Sequence, residues 1–138
     1  RCWFVDHQSE ISEAESELTN GVSAYNDEDY SRSLSYLENS FNKYESLNDS
    51  AHEASVDDDN LEGLFESYFY HSYQASAAAY SWVYEFHVNE DMVAAEERLG
   101  VFERHANAAA EIRQELKSEL GVAQSTELKN VDGDCGVF

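Results

Sequence analysis

The residues able to do chemistry in this chain are its histidines, its carboxylate runs, two cysteines and one sequon. Five histidines are present. A carboxylate-bridged dimetal site in a helical bundle needs Glu-x-x-His, which places both ligands on one helix face. None of the five histidines has a glutamate three positions before it. Glu85-Phe86-His87 and Glu103-Arg104-His105 have the wrong spacing to share a face. Asp57-Asp58-Asp59-Asn60 and Asp132-Gly133-Asp134 carry oxygen ligands that suit weak cation binding. Neither completes a twelve-residue calcium loop, because no bidentate glutamate follows at the required place. No glycine-rich phosphate loop, nucleophile elbow or Cys-x-x-Cys occurs. The residues therefore predict no catalytic centre, no resident metal and no cofactor.

Cys2 and Cys135 stand at opposite ends of the sequence, without neighbours at metal-ligand spacing. Two free thiols and one disulfide are both open, and the terminal placement favours a disulfide. Such a bond would imply an oxidising compartment. Asn48-Asp49-Ser50 is an N-glycosylation sequon, usable at Asn48 if the chain is secreted. The opening Cys2-Trp3-Phe4-Val5 is too short to span a membrane. The absence of an initial methionine suggests a processed product or a fragment.

The elements that would position these groups are helices. The chain has 138 residues and no proline, and 42% of it is hydrophobic. That is one domain by size, able to bury roughly 68% of its unfolded surface. The stretch from Asn60 to Val88 organises the rest. Leu61, Leu64, Phe65, Tyr68, Ser72, Ala75, Ala79, Trp82, Val83 and Phe86 follow a helical period. Phe69, Tyr73, Ser76, Tyr80 and Tyr84 make a second face. A helix apolar on most sides is covered on most sides, so this is a central helix about 28 residues and roughly 42 Å long. Phe69, Tyr73, Tyr80 and Tyr84 are its interface candidates, since aromatic residues are enriched in interface cores. Periodicity predicts the other helices at about 9–26, 29–55 and 90–120, with an apolar lead over 1–7 and a polar tail over 121–138. Ser9 is the expected N-cap of the first helix, and Gly21 inside that helix marks a close crossing. Gly121 is the expected C-terminal stop of the last. Short, long and short connections make an all-α arrangement of two antiparallel hairpins.

Charge narrows the partners. Asp and Glu number 29 against 8 Lys and Arg, for a formal net charge of −21. Such a chain repels nucleic acid and anionic membranes. Only three of the basic residues are lysine. An acid-rich, lysine-poor surface is typical of proteins that work in concentrated salt, where self-repulsion is screened within a few ångströms.

The two hairpins also resemble each other. Asp29-Tyr30-x-x-Ser33-x-x-x-Leu37 matches Asp91-Met92-x-x-Ala95-x-x-x-Leu99, each after an asparagine-acidic turn. The pattern resembles the tetratricopeptide repeat, whose small residues fall here on Gly21 and Ser33. Trp82-Val83 departs from that pattern where the second unit should have a small residue. The resemblance implies peptide or partner-protein binding. The first pair also resembles the amino-terminal repeats of the leprecan and cartilage-associated protein group, without that group's extra cysteines. The overall texture is similar to small secreted or surface helical proteins of halophilic archaea. The combined expectation is a non-enzymatic extracellular or cell-surface helical protein of a halophile, structural or self-associating. A tetratricopeptide-like adaptor and a leprecan-like fragment of the secretory pathway are the alternatives.

Overall fold

The computed structural model describes residues 2–53 and 59–130, and all of their regular structure is helical. Helix α1 is Cys2–Asp6, α2 is Gln8–Asn26, α3 is Tyr30–Glu53, α4 is Asp59–His87 and α5 is Met92–Leu120. A 3-10 turn, Leu128–Asn130, follows.

The count corrects the expectation of four helices, because the apolar lead is itself a helix. Five residues do not hold a helix by propensity. Aromatic packing holds this one. The Trp3 ring stacks on His7 with centroids 4.1 Å apart and meets Phe65 edge-on at 4.5 Å. Phe4 is fully enclosed, 4.9 Å from Phe65. The His7 N–H donates to the Trp3 carbonyl at 3.0 Å, closing the turn. The chain then enters α2 after a single residue, so His7 takes the N-cap position expected of Ser9 and makes no side-chain cap.

Each long helix packs on its neighbours in sequence: α2 on α3, α3 on α4, α4 on α5. Gly21 sets the first of these contacts. Without a Cβ it lets α3 approach until the Ser33 hydroxyl donates to the Gly21 carbonyl at 2.7 Å. Two helical turns away, Ser40 donates to the Ala14 carbonyl at 2.9 Å. Both serines are fully buried, and bonding to the facing backbone removes the cost of hiding their hydroxyls.

The core lies in two clusters, and α4 belongs to both. Phe65, Tyr68 and Phe69 join Phe4, Ile11, Leu47 and Leu116. Further along, Ala79, Trp82 and Val83 join Leu37 and Ala95. Burying a large apolar side chain contributes about 1.5–3 kcal/mol, so both clusters draw much of their stabilisation from this helix.

The turns are built alike. Glu28 (φ 63°) precedes Asp29 and Glu90 (φ 54°) precedes Asp91. The Asp91 carboxylate accepts from the Ala94 N–H at 3.0 Å, and Asp29 faces the Arg32 N–H at 3.4 Å. Gly121 ends α5 at φ 71°, where its N–H donates to the Ser118 carbonyl and the Val122 N–H to the Lys117 carbonyl. This is the stop expected of that glycine.

Candidate functional site

The aromatic face expected on α4 divides when folded. Phe69 is fully enclosed beneath α1, its ring 5.1 Å from Trp3 and 5.9 Å from Phe65. It is a core residue, and the element that covers it is the helix that periodicity missed. Tyr73 is half-buried against the same cluster. Burial, followed by the nearby Glu45 and Asp49 carboxylates, pushes its hydroxyl pKa up. Tyr80 is half-buried, edge-on to Phe41 at 5.4 Å and stacked with Tyr84 at 6.0 Å. Tyr84 reaches the surface.

Tyr84 belongs to a run of apolar side chains left in solvent at the α4–α5 turn. Tyr84 is 38% exposed, Val88 49%, Met92 54% and Val93 78%. Their sequence neighbours Glu85, Glu90, Asp91, Glu96 and Glu97 give the turn an acidic rim. The core-facing positions of both helices are filled by Trp82, Val83 and Ala95, so these four are not needed to close the fold.

A cleft opens between α2 and α5, with a volume of about 370 Å³. Tyr44 of α3 and Tyr68 and Ser72 of α4 line its buried side, at 4%, 3% and 6% exposure. Glu15 of α2 and Arg113 of α5 bring opposite charges to it. Ala75, Ala106, Ala109 and Ala110 leave the space unfilled. Ser72 and Arg113 both hydrogen-bond the Tyr68 hydroxyl. Burial, and then the Glu15 carboxylate, still push that hydroxyl up to about 12. Burial likewise raises Tyr44, with Tyr68 and Glu15 adding to it. Periodicity placed Tyr68 on a core face, but not the meeting of four helices that makes a cleft beside it.

His71 and His105 meet between α4 and α5, with their Nδ1 atoms 2.9 Å apart and their rings tilted by 36°. One Nδ1 carries the hydrogen and the other accepts it. Burial, the facing His71 and then Arg104 lower the His105 pKa. Among the described residues no group of three or more histidine, cysteine, aspartate or glutamate side chains is placed to hold a metal ion, and no helix is long and apolar enough to cross a membrane.

Asn48 lies inside α3, half-buried, and its Oδ1 is buried without a hydrogen-bond partner. Cys135, the Cys2 side chain, Asp57-Asp58 and Asp132-Gly133-Asp134 lie outside the described residues. Comparison of the chain with protein-family models, with curated proteins and with solved structures finds no match.

Proposed function

We propose that this is a non-enzymatic helical protein of a saline extracellular or cell-surface environment, which associates with a second copy of itself through the α4–α5 turn. The observation that carries the reading is the exposed apolar set Tyr84, Val88, Met92 and Val93. Exposed apolar side chains gathered in one place mark association surfaces more often than scattered ones do. A self-complementary pairing of two turns fits them, because two-fold contacts put the same patch on both partners. The acidic rim would oppose that pairing in dilute buffer and permit it once salt screens the carboxylates. The test is sedimentation at several protein concentrations, in 0.05 M and 2 M sodium chloride. Association should appear in high salt and be lost in the Met92→Glu/Val93→Glu variant with helix content unchanged. A wild-type chain that stays monomeric throughout would end this reading, as would a variant that associates equally.

A second reading, a tetratricopeptide-like adaptor of two antiparallel hairpins, is favoured by the repeated turn. Each turn sets a left-handed glutamate before an aspartate that faces an N–H three residues on. The close crossing at Gly21 and Ser33 falls where that repeat has small residues. A monomer that captures a partner protein through a surface other than the α4–α5 turn would favour it.

A further inference from the structure

We infer that the cleft between α2 and α5 binds a small free α-amino acid with an apolar side chain, held as its zwitterion. This site shares no residue with the α4–α5 turn and goes beyond the association proposed above.

The cleft differs from a packing fault in what lines it. A gap among apolar side chains would be dry and featureless. Here three hydroxyls, on Tyr44, Tyr68 and Ser72, are carried into the protein on the buried side of an open space. Ser72 and Arg113 bond the Tyr68 hydroxyl, which offsets the cost of hiding it and fixes polar groups on the wall of the open space. The volume of about 370 Å³ is at the small end of the range for ligand pockets, about 300–1,000 Å³.

The chemistry of the lining selects the ligand. Arg113 keeps donors beyond the one it gives Tyr68, and its planar fork suits a carboxylate. The tyrosine hydroxyls can donate to the same group. Glu15 supplies the negative charge that an ammonium needs, and a carboxylate has acceptor sites for several donors. The alanine methyls and Leu18 line the same cleft, an apolar surface for a short side chain. One cation and one anion at one cleft match a molecule that carries both charges. The field of the whole chain agrees. At net −21 it repels a free anion and gathers cations without selection, whereas a ligand of zero net charge enters without either effect.

The test is calorimetric titration of the full chain with L-leucine, beside N-acetyl-L-leucine, which lacks the ammonium, and L-leucinamide, which lacks the carboxylate. L-Leucine should bind at one saturable site and raise the thermal midpoint. Each blocked analogue should bind roughly tenfold more weakly or worse, as expected for loss of one charged hydrogen-bonding group. Glu15→Gln should erase the preference for leucine over its N-acetyl form, and Arg113→Gln the preference over the amide. Neither residue is buried, so both variants should keep wild-type helix content. Ala109→Leu, which fills the cleft, should abolish binding. The inference is overturned if L-alanine, L-valine and L-leucine all fail to saturate the chain by about 50 mM. Equal binding of the blocked analogues, or wild-type affinity in both charge variants, would overturn it as well. Oligomeric state plays no part in these readouts, so failure here leaves the association reading standing.

Discussion

Gly21 lies so close to Leu37 that a Cβ added to it would stand 2.5 Å from Leu37 Cδ2 and 3.3 Å from the Leu37 backbone nitrogen. Leu37 is fully buried, so its side chain has nowhere to move. The tightness of the α2–α3 crossing therefore depends on one missing methyl group.

Gly21→Ala should destabilise the protein despite alanine's better helix propensity. Overpacking costs about 1–3 kcal/mol, and the propensity gain returns at most about 1. A net loss of about 1–2 kcal/mol is expected in urea unfolding. Gly100→Ala is the control. A Cβ there meets nothing within 4 Å, so the same change should stabilise by about 0.5–1 kcal/mol. Two variants that shift in the same direction would contradict the crossing.

Trp82→Ala should cost about 3–5 kcal/mol, as large aromatic truncations in cores do. Trp82 is 8% exposed, with Tyr25 4.4 Å away on α2 and Phe102 6.3 Å away on α5. Glu66→Ala touches only a surface contact to His52 at 3.6 Å and should cost under about 1 kcal/mol. Coincident thermal melts of the two variants would show that α4 is not the centre of the fold.

Much of the fold was legible because its signals are local. The helical period of α4, the Asn-acidic turns and Gly121 each act within a few residues of themselves, and Gly21 stands out as a glycine inside a helical period. Helix α1 was not legible, because Trp3 and Phe4 are too few to show a period and their reason for being helical lies on α4. The same limit hid Phe69, which reads as an exposed aromatic until α1 is known to cover it. The cleft was hidden more deeply. Glu15, Tyr44, Tyr68 and Arg113 come from four helices, and periodicity states which face each occupies without saying which faces meet.

Tyr68 should make the fold sensitive to alkali. Its hydroxyl is held at about 12 in the folded protein, against about 10 when unfolded. Between those values the unfolded chain has released the proton and the folded chain keeps it, so stability falls as pH rises. The contribution is complete below pH 10 and lost by about pH 12, a span worth roughly 2–3 kcal/mol. Tyr68→Phe should flatten that part of the profile, measured by denaturant unfolding from pH 9 to 12. An unchanged slope would place the tyrosine in water.

The histidine pair works at the acid side. The His105 pKa is lowered, so its contribution is complete above the ordinary value near 6.5 and is lost as pH falls from there through the lowered value. Below that, a charged His105 ring would sit against His71 with Arg104 nearby. His105→Gln should remove this loss. Proton NMR titration of the His105 ring signal checks the direction, and a value above 6.5 would contradict it.

Salt should stabilise the whole molecule. A net charge of −21 repels itself more in the compact state than in the expanded one. The Debye length falls from about 30 Å at 0.01 M to about 3 Å at 1 M. The thermal midpoint at pH 7 should therefore rise between 0.05 M and 2 M sodium chloride, and comparison with sulfate separates screening from strengthened apolar burial. Equal midpoints would remove concentrated salt from the proposed environment and favour the secretory-pathway alternative.

The seat of α1 has a consequence for how the protein is made. Trp3 and Phe4 are translated before the rings they dock on, Phe65 and Phe69, which come about sixty residues later. At about 5–20 residues per second a nascent chain carries those two aromatic rings without their partner for roughly 3–12 seconds. Helices α2 and α3 can pair during that interval through Gly21, Ser33 and Ser40, which need nothing from α4. Helix α1 is thus made before α2 and α3 yet finds its place after them, and the ribosome-bound chain spends that interval with two adhesive rings uncovered.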